Sequence, residues 1–463
     1  MLDAFLFLFV MGMLALGLRK PFIWVLAYLY IDIVAPQKIG WTLMPILPIS
    51  LIAFVAAFAG WLLADSKEGS RFTFRQGLIL VLLIYCTMTT LTADFPKEAF
   101  EKWGWVWKAM VFAIFLPLTL RTKLRIEAAA LVMVLSVGAI IISGGIKTIT
   151  GGGGYGALYF FVNDNTGLYE SSTISCVAIA IIPLILWLAK YGTVFPPDWR
   201  VRLFAGALIF SCLLIPVGTQ TRTGLLCIGL LAVLMLRTVK HRFVYMGLGA
   251  LALLAAIPFL PKSYTERMST IESHESDESA STRLAVWKWT LDYVKDHPLG
   301  GGFNAFLSNS FTYKKKVTLD MGGGITQTEV QNVTDEARAY HSSYFEMLGE
   351  QGWPGLGLWL WLHALGPWQM ERIRRRLRKS EDRVDCSLRD LATALQNGQL
   401  VYLLGALFIG IAFQPFVLML LALQIAVWTM VQRREKGLPR RKGRHRNAPP
   451  PVETPGEVQG SPA

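Results

Sequence analysis

Two arginines and one histidine carry the residue types that could bind and activate a substrate in this chain. Arg222 lies in the polar run Thr-Gln-Thr-Arg-Thr-Gly at residues 219–224, Arg283 opens a helix-like stretch, and His341 ends the same long polar loop. A guanidinium binds phosphate oxygens bidentately, and a neutral imidazole near pH 7 accepts a proton from a hydroxyl group. The combination predicts a site that holds a phosphate-bearing substrate beside a hydroxyl nucleophile.

Each of these residues also has a purely structural interpretation. An arginine at a helix end often extends its charge to the membrane interface, a loop arginine is commonly solvated, and a single histidine commonly has a structural role. Arg222 stands apart because it begins an apolar span at the outer end, where topology does not favour arginine, and because hydroxyl and amide side chains flank it. The functional interpretation rests on the expectation that the three side chains meet at the membrane surface.

The other polar motifs are weaker candidates. The run Gly151–Gly154 lacks the following Gly-Lys-Ser/Thr of a phosphate-binding P-loop. Asp94, Glu98 and Glu101 share one loop, but their spacing is not diagnostic of a metal site. The five cysteines show neither metal-site spacing nor a disulfide framework. We therefore expect no metal and no other cofactor.

The composition indicates which elements must position these residues. Of the 463 residues, 53% are hydrophobic and 17% are charged, with a mean hydropathy of +0.43, whereas soluble domains carry about 25% charged residues. The apolar residues form long blocks, so we predict an all-α, polytopic membrane helix bundle of about 12 to 13 transmembrane helices. The predicted spans are residues 3–18, 21–36, 43–64, 77–93, 103–120, 126–146, 172–190, 202–218, 221–236, 243–260, 342–365, 397–413 and 416–431.

The basic loops assign a side to each end of these spans. Every cluster of Lys and Arg falls on one side when the spans alternate, and by the positive-inside rule that side is cytoplasmic. The opposite side receives residues 36–41, 92–103, 148–170, 261–340 and 414–415. Topology and contact with anionic membrane lipids therefore explain the net charge of +13 better than binding to nucleic acid does.

The pattern divides the chain into four regions. Residues 1–217 form an N-terminal transmembrane region, and residues 218–365 form a core that includes the large outer loop 261–340. Residues 366–432 form a C-terminal transmembrane hairpin with a basic cytoplasmic loop. Residues 433–463 form a basic cytoplasmic tail whose Pro, Gly and Glu content predicts disorder.

The large outer loop is predicted to carry one surface helix, from residue 282 to residue 295. Its expected apolar stripe consists of Leu284, Trp287, Leu291 and Val294. A helix with one such stripe can lie along the membrane surface. The His-Pro pair and the three glycines within residues 297–302 predict its end. The acidic, serine-rich segment 269–281 precedes the helix and could act as a lid.

Five short motifs follow one another between about residues 218 and 365. They are Thr221–Gly224 (TRTG), Arg283–Trp287 (RLAVW), Pro298–Phe303 (PLGGGF), His341–Tyr344 (HSSY) and Glu350–Gly355 (EQGWPG). In this order and spacing, over about a third of the chain, the region resembles the O-antigen ligase and polymerase superfamily of bacterial membrane glycosyltransferases. The N-terminal part is similar to the O-glycosylation ligases associated with exosortase systems. One departure is Ser342, because many members carry asparagine after the histidine, and this weakens any statement on how the imidazole is oriented.

The resemblance implies glycan transfer by a multi-pass protein of the bacterial inner membrane, with its active site facing the periplasm. The donor would be a glycan on undecaprenyl diphosphate, and the acceptor a hydroxyl group of a lipid A core, another glycan or a protein. Arg222 and Arg283 would hold the donor diphosphate, and His341 would act on the acceptor hydroxyl or assist the leaving group. Direct displacement without a metal predicts inversion at the anomeric carbon. The supporting residues would be Trp287, Gly300, Gly302, Ser342 and Tyr344.

Three alternatives stay open. A polymerase that joins repeat units into an exopolysaccharide would use the same donor and the same motifs, so only the product distinguishes it from a ligase. A polysaccharide transporter or flippase would need ionisable groups near the bilayer midplane and helices broken at matched positions. Pro45 and Pro48 interrupt one span, but no matched partner is evident. A non-catalytic scaffold for a polysaccharide complex would not need the two arginines and the histidine.

Overall fold

The structure is a computed structural model of the chain. It describes residues 2–151, 154, 158–162, 167–237, 241–244, 247, 251, 278–320 and 326–437, with the backbone alone at 278–281, 313–320 and 326–332. Most of the predicted span 243–260, most of the acidic segment 269–281 and the tail after residue 437 lie outside the described residues.

The described residues form a bundle of α-helices, which confirms the predicted fold class. The helices are α1 (Leu2–Arg19), α2 (Phe22–Val34), α3 (Pro36–Ile39), α4 (Leu43–Ile46), α5 (Ile49–Leu63), α6 (Phe74–Leu91), α7 (Pro96–Thr119), α8 (Lys123–Ile149), α9 (Ser171–Tyr191), α10 (Trp199–Gly218), α11 (Arg222–Leu236), α12 (Glu278–Asp296), α13 (Ser343–Arg376), α14 (Arg383–Gly405) and α15 (Pro415–Glu435). Of these, α1, α6, α8, α9, α10 and α15 are long and apolar enough to cross a membrane, while α2, α5 and α11 are shorter apolar helices. The chain is therefore a multi-pass membrane protein.

Helix α9 lies at the centre of the bundle. It packs against α8, α10, α11 and α14, and 83% of its most apolar stretch is buried within the protein. A helix that is apolar on all sides is expected in such an interior position. By contrast, only 17% of α1 is buried, so most of its apolar surface is left to face lipid. The first turn of α9 therefore belongs to a helix that is packed on several sides. That turn borders the candidate site.

The loops predicted to be cytoplasmic meet at one end of the bundle. Asp65 accepts hydrogen bonds from Arg121 and Arg125, each at 2.9 Å from Oδ1. Arg433 donates to the carbonyl oxygens of Gly69 (3.1 Å) and Arg121 (2.8 Å). Loops that belong on one side of a membrane must gather at one end of a helical bundle, so these contacts agree with the predicted alternation of the spans.

The predicted span 397–413 is wrong in its bounds. Helix α14 ends at Gly405, and residues 406–414 are not helical. Hydropathy could not show this, because residues 406–414 are more apolar than the helix before them. Irregular backbone at membrane depth is tolerated where it is buried in protein or lines a cavity, and residues 406–414 meet both conditions.

Ser343, the first residue of α13, satisfies the polar backbone of this irregular segment. Its backbone N–H donates to the carbonyl oxygen of Ala406 (2.8 Å). Its hydroxyl donates to the carbonyl oxygen of Ile409 (2.8 Å) and accepts from the N–H of Ile411 (2.9 Å). One serine therefore replaces three of the hydrogen bonds that a continued helix would have made.

Helix α13 is broken at Gly352, whose φ of 62° and ψ of −168° are not helical. The N–H groups of Gly301 and Gly302 donate to the carbonyl oxygens of Gly349 (3.0 Å) and Glu350 (2.9 Å). The predicted end of the surface helix is therefore confirmed, and the glycine run does more than end it. The run supplies the hydrogen-bond donors that the broken helix lacks.

This close approach requires glycine. Gly300 has a φ of +88°, and a Cβ at this position would lie 2.5 Å from the carbonyl oxygen of Glu350. Side chains rarely adopt that backbone conformation, and the space is already filled. Gly300 and Gly302, predicted as supporting residues, thus act through the backbone.

A two-stranded hairpin interrupts the helical architecture and was not predicted. Strands β1 (Ser310–Asp320) and β2 (Thr326–Glu336) pair antiparallel from Ser310 with Glu336 to Asp320 with Thr326. Asn309 closes its base by donating to the carbonyl oxygen of Arg338 (2.7 Å) and accepting from the N–H of Arg338 (2.9 Å). The signal that could have found it is the alternation of Phe311, Tyr313, Val317 and Leu319.

The surface helix α12 is present as predicted, and its predicted apolar stripe is only partly buried within the protein. Leu284 and Leu291 are 63% and 45% exposed. The buried row consists of Thr282, Val286, Thr290 and Val294. These residues are spaced four apart and form the face toward α13, against which α12 packs. The exposed leucines lie on the other side, so the helix buries one face in protein and offers a second apolar face outside.

Candidate active site

A cavity of about 690 Å³ opens at the end of the bundle where the loops predicted to be periplasmic meet. Its wall is built from the starts of α7, α9, α12 and α13 and from residues 406–414. The ionisable lining residues are Glu101, Lys102, Glu170, Arg283, His341, Glu346 and Glu350. The structure therefore brings Arg283 and His341 together in one cavity, whereas Arg222 is not among the lining residues.

His341 lies at the entrance to α13, two residues before the helix begins. Its φ is +47°, a left-handed conformation that histidine adopts more readily than most residues, and its side chain lines the cavity. Partial burial in the cavity wall and the positive charge of Arg283 lower the pKa of His341 from its ordinary value, while Glu170 acts in the opposite direction. This direction favours the neutral imidazole, the form that accepts a proton.

Trp287 links the helix that carries Arg283 to the residue that precedes His341. Its indole Nε1 donates to the carbonyl oxygen of Tyr340 at 2.9 Å. Its ring stacks on Phe345 at 4.8 Å with an interplanar angle of 7°. Because Trp287 lies one turn after Arg283 on α12 and Tyr340 directly precedes His341, these contacts hold the guanidinium and the imidazole in register.

Arg222 begins α11, and the loop before it packs against α9. The hydroxyl groups of Thr219 and Ser175 are 2.8 Å apart, and those of Thr219 and Thr221 are 3.1 Å apart. Ser175 follows Glu170 by five residues, or about 7.5 Å of helical rise. The structure thus places the start of α11 beside the helix whose first turn borders the cavity, one layer behind the lining residues.

The floor of the cavity is formed by Lys102, Glu346 and Glu350. Sequence reasoning gave none of them a role in the site, although Glu350 opens the EQGWPG motif. The Nζ of Lys102 lies 2.7 Å from Oε1 of Glu346 and 2.8 Å from both carboxylate oxygens of Glu350. Glu346 and Glu350 are 7% and 0% exposed. A signal was present, because ionisable residues beside or inside an apolar span are costly and mark functional sites.

Backbone groups hold this floor in place. The N–H of Asn304 donates to Glu350 (3.0 Å), and the N–H of Ala412 donates to Glu346 (3.1 Å). Buried charges are stable only when they are paired and hydrogen-bonded, and each carboxylate here meets both conditions. The floor therefore depends on the irregular segment that contains Ala412.

Aromatic side chains form much of the remaining wall. They are Trp105, Phe306, Tyr340, Phe408 and Phe413. Trp105 is 42% exposed, and it presents a large apolar surface beside the polar floor. A wall of this kind with a few fixed polar groups is typical of small-molecule sites.

The supporting residues stand behind the cavity rather than in it. Ser342 is buried, and its carbonyl oxygen accepts from the N–H of Glu346 at 2.8 Å. Tyr344 donates to the carbonyl oxygen of Leu403 at 3.2 Å. Together with Trp287 and the glycines, these residues fix the backbone that carries His341 and Glu346.

The acidic residues of the second predicted outer loop do not form a cluster. Asp94 accepts a hydrogen bond from the hydroxyl of Tyr293, and the carbonyl oxygen of Glu98 accepts from Asn304 at 2.8 Å. Across the part of the chain that the structure describes, no three His, Cys, Asp or Glu side chains are grouped so that they could hold a metal ion.

Comparison with known families divides the chain into two matched parts. Residues 1–193 match the family described as "Family of unknown function (DUF5935)", and residues 204–360 match the family described as "O-Antigen ligase". No curated protein matches the chain. The second match contains Arg222, Arg283 and His341, but it does not reach Lys102 or the segment 406–414.

Proposed function

We propose a specific reaction, on the premise that residues 204–360, which match the O-antigen ligase family, form a glycan-transferring membrane domain. The protein transfers a glycan from undecaprenyl diphosphate to an acceptor hydroxyl at the periplasmic face of the bacterial inner membrane. The observation that carries the proposal is that Arg283 and His341 line one cavity, and the lowered pKa of His341 favours its neutral form. Such a pair can hold a diphosphate next to a hydroxyl group.

The arginines hold the donor. Arg283 contacts the diphosphate directly, since it lines the cavity. Arg222 acts from the adjacent start of α11, where its charge adds to the positive potential without lining the wall. Guanidinium groups match phosphate oxygens in geometry and stay charged at every physiological pH.

His341 accepts the proton of the acceptor hydroxyl. As that O–H bond breaks, the acceptor oxygen forms a bond to the anomeric carbon. The bond from that carbon to the diphosphate oxygen breaks, and its electron pair remains on the diphosphate. The products are the glycosylated acceptor, with inverted anomeric configuration, and undecaprenyl diphosphate.

Positive charge near the leaving group is the main source of rate enhancement in this scheme. A fixed donor aimed at developing negative charge commonly contributes about 3 kcal/mol to the stabilisation of the transition state. A positioned general base contributes about 10² to 10⁴-fold. Both effects are available from residues of this chain.

The acceptor decides the physiological role. A lipid A core, another glycan or a protein would make the enzyme a ligase, whereas a second lipid-linked repeat unit would make it an exopolysaccharide polymerase. Donor and leaving group are the same in both cases, so the cavity serves either reaction. A ligase produces a distinct acceptor that carries one transferred glycan. A polymerase produces glycans with a ladder of chain lengths.

The experiment is transfer in proteoliposomes with a purified lipid-diphosphate glycan and candidate acceptors. We expect the wild-type protein to release undecaprenyl diphosphate, and His341→Ala and Arg283→Ala to lose that activity while still folding. His297→Ala is the matched control, because His297 lies in the same loop and stacks on Tyr293 at 4.2 Å outside the cavity. Movement of intact lipid-linked glycan across the bilayer would instead identify a flippase and refute the proposal.

A further inference from the structure

The charges of the cavity are divided between two groups. One group contains Arg283 and His341, with Glu170 close enough to affect the imidazole. The other is the floor formed by Lys102, Glu346 and Glu350. The first group can bind an anion, whereas the second consists of two carboxylates and one ammonium group.

The net charge of the floor is not positive. The ammonium group of Lys102 contacts two carboxylates within 2.8 Å, so the trio carries a formal charge of −1. Protonation of one carboxylate would make the trio neutral, and it would still not be cationic. Among the lining residues, Lys102 and Arg283 are the only lysine and arginine. An anion placed on the floor therefore meets carboxylates and an ammonium group whose charge is already matched.

The floor and its surroundings nevertheless suit a sugar ring. Carboxylate oxygens accept hydrogen bonds from hydroxyl or ammonium groups, and a carboxylate has about four lone-pair sites. Lys102 and the N–H group of Ala412 leave free sites on Glu346. Glu350 is 0% exposed and also accepts from Asn304, so Glu346 is the accessible acceptor of the floor.

Gln414 adds an amide that can donate or accept, and Trp105 and Phe413 offer apolar faces beside it. Fixed acceptors next to aromatic surface form a binding site for a polar, uncharged ring.

We propose that the floor formed by Lys102, Glu346 and Glu350 binds an uncharged or amino sugar ring and rejects a uronic acid ring at the same place. This inference rests on the proposed glycan transfer and adds the class of sugar. Rejection follows because a ring carboxylate would be desolvated against Glu346 or Glu350 without an unpaired cation, and like charges at close range are strongly unfavourable. The ring belongs either to the donor, next to its diphosphate, or to the acceptor.

The test uses matched substrates in proteoliposomes that contain the full-length protein. In the donor arm, two lipid-diphosphate sugars differ only at C6, which is a hydroxymethyl group in one and a carboxylate in the other. In the acceptor arm, the donor is fixed and two acceptors differ in the same way. Release of undecaprenyl diphosphate gives kcat/KM for each substrate, and the arm that shows discrimination identifies which ring occupies the floor.

We expect the wild-type protein to prefer the uncharged substrate by at least about 30-fold in one arm, which corresponds to about 2 kcal/mol. Equal use of charged and uncharged substrates in both arms, with transfer intact, overturns the inference but leaves the proposed function standing. Absence of release with every substrate overturns the proposed function itself. The two failures are therefore distinguishable.

Two variants test whether the floor residues cause the preference for the uncharged substrate. Glu346→Gln keeps the shape of the side chain and removes one negative charge. We therefore expect the ratio of kcat/KM for the uncharged substrate to kcat/KM for the charged substrate to fall at least about fivefold. Glu101→Gln is the matched control, because Glu101 lines the same cavity outside the floor, and we expect its preference to stay within about twofold of wild type. An equal change in both variants would mean that the overall charge of the cavity, rather than the floor, selects the sugar. Thermal unfolding of each variant checks folding, and the wild-type comparison stays decisive if Glu346→Gln does not fold.

Discussion

The indole N–H of Trp287 and the carbonyl oxygen of Tyr340 are joined by a 2.9 Å hydrogen bond. This bond crosses from the surface helix α12 to the residue before His341, and the stacking of Trp287 on Phe345 supports it. Arg283 lies one turn earlier on the same helix. A single side chain of α12 thus links the backbone that carries the guanidinium to the backbone that carries the imidazole.

Trp287→Phe should lower kcat with little effect on folding. Phenylalanine keeps an aromatic ring against Phe345 but cannot donate to Tyr340. Loss of one hydrogen bond costs about 1 kcal/mol, and the resulting displacement of His341 should reduce kcat by roughly tenfold. Single-turnover transfer and thermal unfolding in detergent would measure both. An unchanged kcat would show that Trp287 does not position the site.

Arg283→Ala should cost more activity than Arg222→Ala. Only Arg283 lines the cavity, so its removal takes away direct contact with the diphosphate, worth about 10² to 10³-fold in kcat. Arg222→Ala should lose less, and Arg283→Lys should recover part of the loss because it keeps the charge but not the planar fork. Initial rates at several donor concentrations separate effects on KM from effects on kcat. A larger loss for Arg222→Ala would reverse the assignment of the two arginines.

The acid limb of the pH–rate profile should report His341. Its pKa is lowered below 6.5 by burial first and by Arg283 second, so the base remains neutral until the pH falls below that value. Activity should therefore reach half its maximum at a pH under 6.5. The free energy of unfolding changes with pH in the same direction. As the pH falls, His341 binds its proton first in the unfolded state, so the folded state loses stability relative to the unfolded state below pH 6.5.

Glu170→Gln should shift that acid limb further down. The carboxylate of Glu170 raises the pKa of His341, and its removal leaves the effect of Arg283 unopposed. Glutamine can still cap α9, where Glu170 accepts from the N–H groups of Ser172 and Thr173. A profile that moves upward, or does not move, would contradict the assignment of the limb to His341.

Gly352→Ala should destabilise the protein, whereas Gly357→Ala on the same helix should not. Gly352 has a φ of +62°, and a Cβ there would lie 2.5 Å from the backbone nitrogen of Gly300. Such strain costs about 1–3 kcal/mol before the clash is counted. A Cβ at Gly357 meets nothing within 4 Å, and alanine favours a helix over glycine by about 1 kcal/mol. Equal unfolding temperatures for the two variants would refute the described break in α13.

The fold was more accessible to sequence reasoning than the site. Hydropathy located the helices because a span is a local property of about 20 residues. It failed at residues 406–414, where apolar composition is kept but Ser343 takes over the backbone hydrogen bonds. Periodicity placed α12, but it did not show which residues pack against protein, because the buried row includes two threonines.

Within the site, the motifs supplied Arg283 and His341, and the structure joins them in one cavity. They did not supply the floor, because Lys102 is separated from Glu346 and Glu350 by 244 and 248 positions in the chain. No local pattern links residues so far apart. They become neighbours because α6 and α15 each pack against both α7 and α13.

The position of residues 406–414 in the cavity wall also bears on how the protein is made. A membrane protein is synthesised and inserted from its N-terminus, and this segment lies between the last two helices of the described chain. A chain that stops before residue 406 lacks the Ala412 partner of Glu346 and one side of the cavity wall. We therefore expect such a chain to carry both Arg283 and His341 and still be inactive.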